Sequence, residues 1–354
     1  MDAQRDSAVA LADDIRRWAG ELGFDRLGFA GIDLARDEER LLDWLDRGHH
    51  GEMAWMARHG TRRSRPADLE PGTVSVISVR MDYWPGNARD ADQVLEDAQL
   101  GYISRYALGR DYHKLLRTRL ERLAARIREQ HGPFRYRCFS DSAPVLEKPL
   151  ARNAGLGWIG KHTNLIDSRT GSWFFLAEMY TDLALPADDA APADRCGTCD
   201  ACLQACPTGA IIGPYRLDAR LCISYLTIEH PGAIPESLRE AMGNRIYGCD
   251  DCQLVCPWNR FARPTHESGF EARDELDSPV LIDLLEMTES QFLRRFEGSA
   301  IRRIGHERFI RNVAVALGNA PTGDAVVTAL RARRNDPSPI IREHVGWALA
   351  RHGA

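Results

Sequence analysis

The sequence lacks any apolar run long enough to cross a bilayer. Its longest strongly apolar stretch is WFFLA at residues 173–177, whereas a membrane-spanning helix needs about 20 consecutive apolar residues. The first segment, MDAQRDSAVALADD, is acidic, and a secretory leader would instead begin with positive charge followed by an apolar stretch. These absences argue against an integral membrane protein, and we expect a cytoplasmic one.

Lysine is nearly absent as well, since only Lys114, Lys148 and Lys161 occur among the 46 basic residues. The formal net charge is −5, but residues 290–354 hold 11 arginines against 5 acidic residues, which gives this tail +6 and the remainder −11. A basic segment of this kind is typical of a surface that binds a polyanion. Arginine-rich usage can equally reflect genome composition, so charge alone supports nucleic-acid binding only weakly.

Cysteine, by contrast, occurs nine times, and eight of the nine fall into two groups. The first group, CGTCDACLQACP at residues 196–207, has the bacterial ferredoxin spacing, in which three thiolates hold one four-iron cluster and the fourth ligates the other. The second group, CDDCQLVCP at residues 249–257, keeps the last three positions of this spacing. Ile246 stands where its first cysteine should be, and Cys222 is available to replace it.

The crossing rule, applied to both groups, predicts the ligands of two [4Fe-4S] clusters. One cluster is expected on Cys196, Cys199, Cys202 and Cys256, and the other on Cys206, Cys222, Cys249 and Cys252. Structural zinc sites are the alternative, because two CxxC pairs can build a tetrahedron of thiolates. Zinc explains neither the repeated Cys-Pro nor the three-residue gap before it. A disulfide framework fits less well still, and Cys138 is predicted to be a buried thiol.

Length and composition suit two or three domains, because 354 residues with 44% hydrophobic content can bury substantial cores. Two helices and two strands are predicted early in the chain, over residues 9–22 and 112–130 and over residues 74–79 and 173–180. Ser7 is the predicted cap of the first helix and Gly23 its stop, while Gly132 ends the second. Residues 1–183 are therefore expected to form an α/β or α+β domain.

The segment LALPADDAAPADR, residues 183–195, is rich in Ala, Pro and Asp and indicates a connector into the first cysteine group. Beyond the cysteines, helices are predicted over residues 306–319, 323–334 and 338–351. Their alternation resembles a HEAT-like repeat with too few units for a solenoid, so this unit has to pack on the preceding domain. The predicted fold class is α+β multidomain, with domains at residues 1–183, 184–260 and 261–354.

Asp141, in the segment FSDSAPVLEKPLA, has two interpretations. An Asp-Ser pair before a proline-started helix is commonly the helix cap, and the isolated motif favours this role for Asp141 or Ser142. The alternative role is a general acid, which a site that reduces an electrophile needs when the leaving oxygen must be protonated.

Other motifs carry weaker signals. The GxGxxG at Gly155, Gly157 and Gly160 lacks a strand before it and a helix after it, so we predict a glycine turn rather than a dinucleotide site. His113, His162 and His230 show no metal-ligand spacing, and each is predicted to be polar surface or a satisfied core residue. Asp111 is predicted to cap the helix that follows it.

Several segments together carry a family resemblance. They are RYALGRDYH at Arg105, DSAPVLEKPLA at Asp141, GLGWIGKHTNL at Gly155, GSWFFLAE at Gly171, IYGCDDCQLVCPWN at Ile246 and the two cysteine groups. Over nearly the whole chain they resemble the bacterial epoxyqueuosine reductases, cobalamin-dependent enzymes that complete queuosine synthesis in tRNA. Lys148 is a small departure, because many relatives carry arginine there and lysine lacks the bidentate fork.

The resemblance implies a nitroreductase-like cobalamin-binding α/β domain, a two-cluster ferredoxin-like domain and a HEAT-like helical unit that helps to bind tRNA. It also implies a two-electron reduction of an epoxide to an alkene at the wobble nucleotide of the tRNAs for Asp, Asn, His and Tyr. An unidentified low-potential donor would supply the electrons, which pass through the clusters to cobalamin. A monomer is expected.

Residue roles follow from the same resemblance. Asp141 matches the proton donor of the family, which reverses the preference for a helix cap. The residues expected near the corrin are Arg63, Ser104, Asp141, Leu165, Leu176, Ser224, Cys249 and Asp250. The expected contacts to tRNA phosphates are Arg302, Arg303, Arg311 and Arg342 in the basic tail.

Two other classes of protein remain open from the sequence. One is a non-catalytic electron carrier whose flanking domains dock protein partners, and corrinoid binding would distinguish it. The other is a corrinoid iron–sulfur reductase of small-molecule electrophiles, like the reductive dehalogenases. Those enzymes are commonly exported, so the acidic first segment and the basic tail favour the tRNA enzyme.

Overall fold

The structure, a computed structural model, describes residues 2–188 and 192–354. The α-helices are α1 (Asp2–Glu21), α2 (Ala35–Asp46), α3 (Trp55–Arg58), α4 (Pro66–Leu69), α5 (Ala91–Glu96), α6 (Tyr112–His131), α7 (Glu147–Asn153), α8 (Ala201–Gln204), α9 (Ile223–Ile228), α10 (Glu236–Arg239), α11 (Asp251–Leu254), α12 (Leu281–Glu286), α13 (Glu289–Arg295), α14 (Gly305–Asn319), α15 (Asp324–Ala332) and α16 (Pro339–Arg351). In the described part of the chain, no helix combines the length and apolar character needed to span a membrane.

The β-strands are β1 (Arg26–Ala30), β2 (Ser75–Asp82), β3 (Tyr102–Ile103), β4 (Tyr136–Phe139), β5 (Trp158–Ile159), β6 (Leu165–Ile166), β7 (Phe174–Thr181), β8 (Ile211–Gly213), β9 (Arg216–Leu217) and β10 (Arg245–Tyr247). Four of them form the central antiparallel sheet in the order β1-β2-β7-β4. The remaining strands form two-stranded pairs. The central sheet is antiparallel, and the described chain after β10 is helical, so α and β structure are partly segregated, as in an α+β fold.

Strand β7 presents alternate residues to the two faces of the sheet, because successive side chains of a strand point in opposite directions. Met179 lies in the core that the sheet forms with α1 and α6. Leu176 and Tyr180 lie in a second core, on the face covered by α7. Glu178 is two residues from both Leu176 and Tyr180 and therefore lies on the same face of the strand, with its carboxyl group directed towards α7.

The early helices and strands agree with the sequence, except at one cap. Helix α6 begins after Asp111, whose side chain accepts a hydrogen bond from the backbone N–H of His113. Gly132 ends α6 and Gly23 follows α1, both with positive φ. The predicted cap at Ser7 is wrong, because α1 begins at Asp2 and contains Ser7. No proline or glycine interrupts the residues before Ser7, so the helix continues through them.

The connector is confirmed in part, since residues 183–188 and 192–195 contain neither helix nor strand. Its residues 189–191 lie outside the described residues. The cysteine-rich segment beyond it has only short elements, such as α8 and the β8–β9 pair. Cys138 is a buried free thiol in β4, as predicted.

The last three predicted helices are confirmed as α14, α15 and α16. They share one core with α12 and α13, in which Phe292 and Phe309 are fully buried. This core continues into the parallel pair of β10 and β3 through Ile246 and Ile103. Ile246, the residue in place of a cysteine, is therefore a core residue, and the terminal unit packs on the earlier part of the chain.

Candidate functional site

The first predicted ligand set lines one cavity of about 190 Å³. Its members are Cys196, Cys199, Cys202 and Cys256. Helix α11 packs against α8, and this contact brings Cys256, from the second cysteine group, to the other three. The structure therefore gathers the thiolates in the crossed combination that the ferredoxin spacing predicts.

The second predicted ligand set lines a neighbouring cavity of about 230 Å³. Its members are Cys206, Cys222, Cys249 and Cys252. Ser104, Lys148 and Asn164 line the same cavity, so it extends as a polar cleft beyond the cysteines. The cleft therefore presents both thiolates and polar side chains to a group bound there.

Asp141 lies in the loop between β4 and α7 and has a left-handed backbone, with φ of 52°. This conformation costs a residue other than glycine about 1–2 kcal/mol. Three contacts hold it: the Asp141 N–H donates to the carboxylate of Glu147, the Tyr112 hydroxyl donates to Asp141 Oδ2 at 2.9 Å, and Nε2 of His113 lies 3.0 Å from the same oxygen.

The helix-cap interpretation of this segment is wrong. Helix α7 begins only at Glu147, and the residue at its cap position is Leu146. Asp141 and Ser142 lie too far before the helix for their side chains to reach its first N–H groups. The Asp141 carboxylate is instead free to bond with α6.

His113 lies between two carboxylates, with Nδ1 2.6 Å from Asp111 Oδ1 and Nε2 3.0 Å from Asp141 Oδ2. Burial alone would lower the pKa of His113, but the hydrogen bonds to Asp111 and Asp141 raise it to about 9. Burial likewise pushes the pKa of Asp141 upwards, and the hydrogen bond from His113 holds it below its usual value. At neutral pH the proton of this pair therefore resides on the imidazole and Asp141 is ionised.

Two more carboxyl groups lie behind Asp141. Glu178 is 0% exposed, and among the described residues no N–H group or hydroxyl donates to either of its oxygens. Burial, followed by the charge of Glu147, raises the pKa of Glu178 well above its usual value. Burial, followed by the charge of Asp141, raises the pKa of Glu147 to about 8. Facing carboxyl groups do not both ionise, so Glu147 and Glu178 retain a proton between them.

Lys148, on α7, connects this acidic loop to the cleft. Its ammonium donates to the Thr163 carbonyl and to Asn164 Oδ1, each at 3.1 Å. Burial lowers the pKa of Lys148, while the charges of the Cys252 thiolate and of Asp141 act in the opposite sense. A ligand in the cleft would thus have the second cysteine set on one side and the Asp141 loop close by.

Four of the residues predicted near a corrin line this cleft, namely Ser104, Ser224, Cys249 and Asp250. The Asp250 carboxylate is buried and accepts hydrogen bonds from Ser104 Oγ at 2.6 Å, and from the Tyr102 hydroxyl and the Arg105 N–H at 2.7 Å each. These bonds fix β3 and Ser104 in the wall of the cleft.

The other residues predicted near a corrin do not line the cleft. Leu165 and Leu176 are buried in the core under α7. Arg63 is buried, and its Nη2 donates to the Trp55 carbonyl at 3.2 Å. Asp141 lies beyond Lys148. The structure therefore gathers half of the predicted corrin neighbours around the cleft and places the rest behind or beside it.

One predicted tRNA contact, Arg311, is wrong. Its side chain is 0% exposed, and its guanidinium donates to the backbone carbonyls of Leu226, His230 and Gly232. Helix α14 turns this position inwards, towards the chain that follows α9. A phosphate cannot reach Arg311 unless this packing opens.

The other three arginines are exposed, and Arg303 lies nearest the acidic loop. Its side chain is 51% exposed, with Nη2 2.9 Å from Glu229 Oε1. After burial and the bonds from His113 and Tyr112, the charge of Arg303 also helps to lower the pKa of Asp141. Arg342 donates to the backbone carbonyls of residues 336 and 337. Of the predicted tRNA contacts, Arg303 is thus an exposed arginine close enough to the Asp141 loop for its charge to act on Asp141.

The glycine turn is confirmed at the GxGxxG segment. It follows helix α7 and leads into the β5–β6 hairpin, the reverse of the strand-then-helix order of a dinucleotide site. A Cβ atom on Gly157 would lie 2.4 Å from the backbone oxygen of Ile166. This glycine therefore permits the close approach of the two strands.

Sequence reasoning missed the roles of His113, Tyr112, Glu147 and Glu178. They converge on Asp141 from α6, α7 and β7, and their separations along the chain give no sign of this. The one available signal was that each lies in a segment that carried the family resemblance: RYALGRDYH, DSAPVLEKPLA or GSWFFLAE.

Comparison with known proteins gives two matching family models. Residues 63–142 match the model described as epoxyqueuosine reductase QueG, DUF1730, and residues 195–259 match the 4Fe-4S double cluster binding domain. The chain is 60% identical over 349 residues to the epoxyqueuosine reductase of Xanthomonas campestris, covering 99% of this chain and 98% of that protein. It is 55% identical to the Escherichia coli enzyme over 340 residues, covering 96% and 89%.

Solved structures of the same enzyme are also similar. One holds a tRNA-Tyr epoxyqueuosine-modified stem loop, and it matches with a TM-score of 0.89 and 28% identity, covering 98% of this chain and 91% of that chain. Another, from Bacillus subtilis, has its aspartate catalytic loop swung out of the active site and matches with a TM-score of 0.88 and 28% identity, with the same coverage.

Proposed function

The chain belongs to the epoxyqueuosine reductase family, and on that premise we propose that it reduces epoxyqueuosine to queuosine at the wobble nucleotide of the tRNAs for Asp, Asn, His and Tyr. The observation that carries this proposal is the polar cleft lined by the second four-cysteine set, with the first set in a neighbouring cavity and the Asp141 loop beyond Lys148. The relative that holds a modified tRNA stem loop supports tRNA as the substrate.

Two [4Fe-4S] clusters are the electron-carrying cofactors, since residues 195–259 match a double-cluster domain. We assign one cluster to Cys196, Cys199, Cys202 and Cys256, and the other to Cys206, Cys222, Cys249 and Cys252. Cys199 is exposed, which favours entry of electrons from an external low-potential donor at the first cluster. The second cluster would border the cleft and pass electrons into it.

Cobalamin is the cofactor proposed for the cleft. Ser104, Lys148, Asn164 and Ser224 offer hydrogen-bonding groups beside the second cysteine set, which suits the many amide groups of a corrin. Bound there, cobalamin would supply a strongly reducing and nucleophilic centre to the substrate. We propose that Asp250 positions Ser104, and that Arg63, Leu165 and Leu176 support the wall near α7 rather than contact the corrin directly.

The reaction adds two electrons and two protons to the epoxide, breaks both C–O bonds and releases the oxygen as water. Such an oxygen leaves readily only when it is protonated. Because the imidazolium of His113 holds the proton at rest, we propose that Asp141 transfers it from Nε2 of His113, 3.0 Å away, to the substrate oxygen. Asp111 orients the imidazolium from its other nitrogen. The loop of Asp141 is proposed to move in and out, as in the Bacillus subtilis enzyme.

The basic tail is proposed to bind the tRNA backbone. Arg303 borders the Asp141 loop and is exposed, which suits a phosphate contact beside the wobble nucleotide. Arg302 and Arg342 are exposed as well and would contact phosphates farther away. Counterion release at these contacts would make tRNA binding weaker as salt concentration rises.

We propose a nitroreductase-like cobalamin-binding domain at residues 1–183, a ferredoxin-like domain at 184–260 and a HEAT-like tRNA-binding unit at 261–354. The confirmed helices α14, α15 and α16 support the last of these. A cytoplasmic monomer is the proposed state of the enzyme.

The test is anaerobic turnover of epoxyqueuosine-containing tRNA by the protein reconstituted with iron, sulfide and cobalamin, using a low-potential chemical reductant. Nucleosides from the digested tRNA are quantified by mass spectrometry. We expect queuosine from the wild type, and about 100-fold or greater loss in Asp141→Asn, because general acids contribute about 10²–10⁴-fold. No queuosine despite intact clusters and bound cobalamin would overturn the function, whereas an unimpaired Asp141→Asn would remove only the role of Asp141.

A further inference from the structure

The β5–β6 hairpin and its turn lie against the cavity of the first cysteine set. Ile166 of β6 and His162 of the turn line this cavity, and Trp158 of β5 packs with Cys256 and Cys196. His162 also lines the cleft of the second cysteine set. The turn is held by reciprocal backbone bonds, Gly160 N–H to the Asn164 carbonyl at 2.8 Å and Thr163 N–H to the Gly160 carbonyl at 2.8 Å. Residues on this hairpin are therefore held rigidly against the first cluster.

His162 carries an N–H group that has no partner within the described part of the chain. The ring is 4% exposed, and Nδ1 accepts the backbone N–H of Asn164 at 3.1 Å. A neutral imidazole that accepts at Nδ1 must carry its hydrogen on Nε2. Burial lowers the pKa of His162 to about 4, which keeps the ring neutral. Nδ1 faces the Asn164 N–H, whereas Nε2, on the other side of the ring, is buried and has no hydrogen-bond partner among the described residues.

Trp158 carries a second N–H group of the same kind. The indole is 2% exposed, and its Nε1 is buried without a hydrogen-bond partner among the described residues. Its ring packs with Cys196 and Cys256. The contact falls short of a formed hydrogen bond to the thiol, which leaves the indole N–H available to a sulfur atom beside it.

A buried N–H without an acceptor costs about 1–3 kcal/mol, and native proteins leave few such groups unpaired. Two of them on one hairpin, both beside the same four cysteines, indicate an acceptor inside the cavity. The sulfur atoms of a four-iron cluster are such acceptors, and hydrogen bonds to them are among the factors that set the reduction potential.

We propose that Trp158 Nε1–H and His162 Nε2–H donate hydrogen bonds to sulfur atoms of the first cluster and raise its reduction potential. The inference rests on the proposed function for its assignment of the ligand sets. Reduction adds one electron to the cluster and makes its sulfur atoms better acceptors, so each bond strengthens and stabilises the reduced state. The two N–H groups thus act as tuning groups and take no part in the bond changes at the substrate.

The test is a potentiometric titration of the reconstituted protein, with both clusters loaded, followed by electron paramagnetic resonance. Trp158→Phe and His162→Phe each remove one N–H while keeping an aromatic ring. Loss of one hydrogen bond lowers the equilibrium constant for one-electron reduction of the cluster by about tenfold. This corresponds to a fall of about 59 mV in the reduction potential. We expect this fall in one of the two reduction steps and none in the other.

Two variants serve as controls. His162→Gln keeps an N–H near the Nε2 position and is expected to restore most of the potential. Trp258→Phe makes the same aromatic change beside the same cavity, at an indole nitrogen that is not among the buried unpaired atoms, and is expected to leave both potentials unchanged.

The proposal is overturned if neither Phe variant shifts a potential while iron and sulfide content stay complete. It is also overturned if the reduction potential of His162→Gln falls as far as that of His162→Phe, since the lower potential would then result from altered packing and not from the missing N–H. If His162→Phe fails to retain its clusters, Trp158→Phe and His162→Gln decide the question. A wild type that loads no clusters would instead refute the proposed function itself.

Discussion

Replacement of Glu147 by leucine is expected to release the Asp141 loop. Asp141 holds an unfavourable left-handed backbone, and its N–H is bonded to the Glu147 carboxylate. Leucine has nearly the same length and fills the same space but accepts no hydrogen bond. The loop would then rely on Tyr112 and His113 alone to hold the Asp141 carboxylate in place.

The magnitude follows from the bond that is lost. Loss of the Glu147 acceptor leaves the Asp141 N–H of the inward loop unpaired, which costs about 1–3 kcal/mol. Since about 1.4 kcal/mol is a factor of ten in an equilibrium constant, the inward position loses about fivefold to 100-fold in population relative to the outward one. The rate of queuosine formation should fall by the same factor.

Single-turnover kinetics with prereduced enzyme measures this rate separately from electron delivery. Glu147→Gln is the matched control, because its amide oxygen still accepts the Asp141 N–H, and we expect its rate to stay within about threefold of the wild type. Binding of tRNA and reduction of the clusters should be unchanged in both variants. A Glu147→Leu enzyme with the wild-type rate would refute the reasoning, and so would an equal loss in Glu147→Gln, which would implicate charge rather than the hydrogen bond.

The remaining predictions concern the buried carboxyl group and the basic tail. Because burial keeps Glu178 protonated in the folded state, stability falls as pH rises above its ordinary value of 4.5, by at most about 1.4 kcal/mol per pH unit. Glu178→Gln should therefore raise the melting temperature at pH 8 and change it least near pH 4; a pH-independent difference would contradict this. Arg303→Glu should weaken tRNA binding. It should also lower the slope of the logarithm of the binding constant against the logarithm of salt concentration by about one, the loss of one phosphate contact. Arg311→Leu should lower the melting temperature but leave the salt dependence of tRNA binding unchanged, and a reduced salt slope in that variant would restore Arg311 as a phosphate contact.

The sequence predicted which cysteines the fold brings together, because most of their signal is local. Cys196, Cys199 and Cys202 lie within a few residues of one another, and a cluster constrains such spacing directly. Cys256 and Cys206 each had to cross to the other group, and Cys222 had to come from outside both groups. The crossing rule accounted for the first two and the missing cysteine at Ile246 for the third. Amphipathic helices such as α6 were equally predictable, because burial of one face imposes a period on neighbouring residues.

The acidic loop was less accessible from the sequence. An Asp-Ser pair before a helix permits a cap, and only the true start of α7 at Glu147 excludes it. The link between His113 and Asp141 spans two elements, and its effect on the protonation of both groups depends on burial. Neither the distance nor the burial is encoded in the spacing of these residues.

What the sequence by itself determined is the chemistry that is available: eight thiolates, seven of them in ferredoxin spacing, together with amphipathic helices and a basic tail. The tertiary structure alone decided where charges lie and which of them are ionised. Arg311 belongs to the basic tail by composition, yet packing of α14 buries it against backbone carbonyls. Glu178 is an ordinary acidic residue in the sequence, and its place in the middle of β7 keeps it protonated. Spacing acts between neighbours in the chain, whereas burial and charge interactions act between neighbours in space.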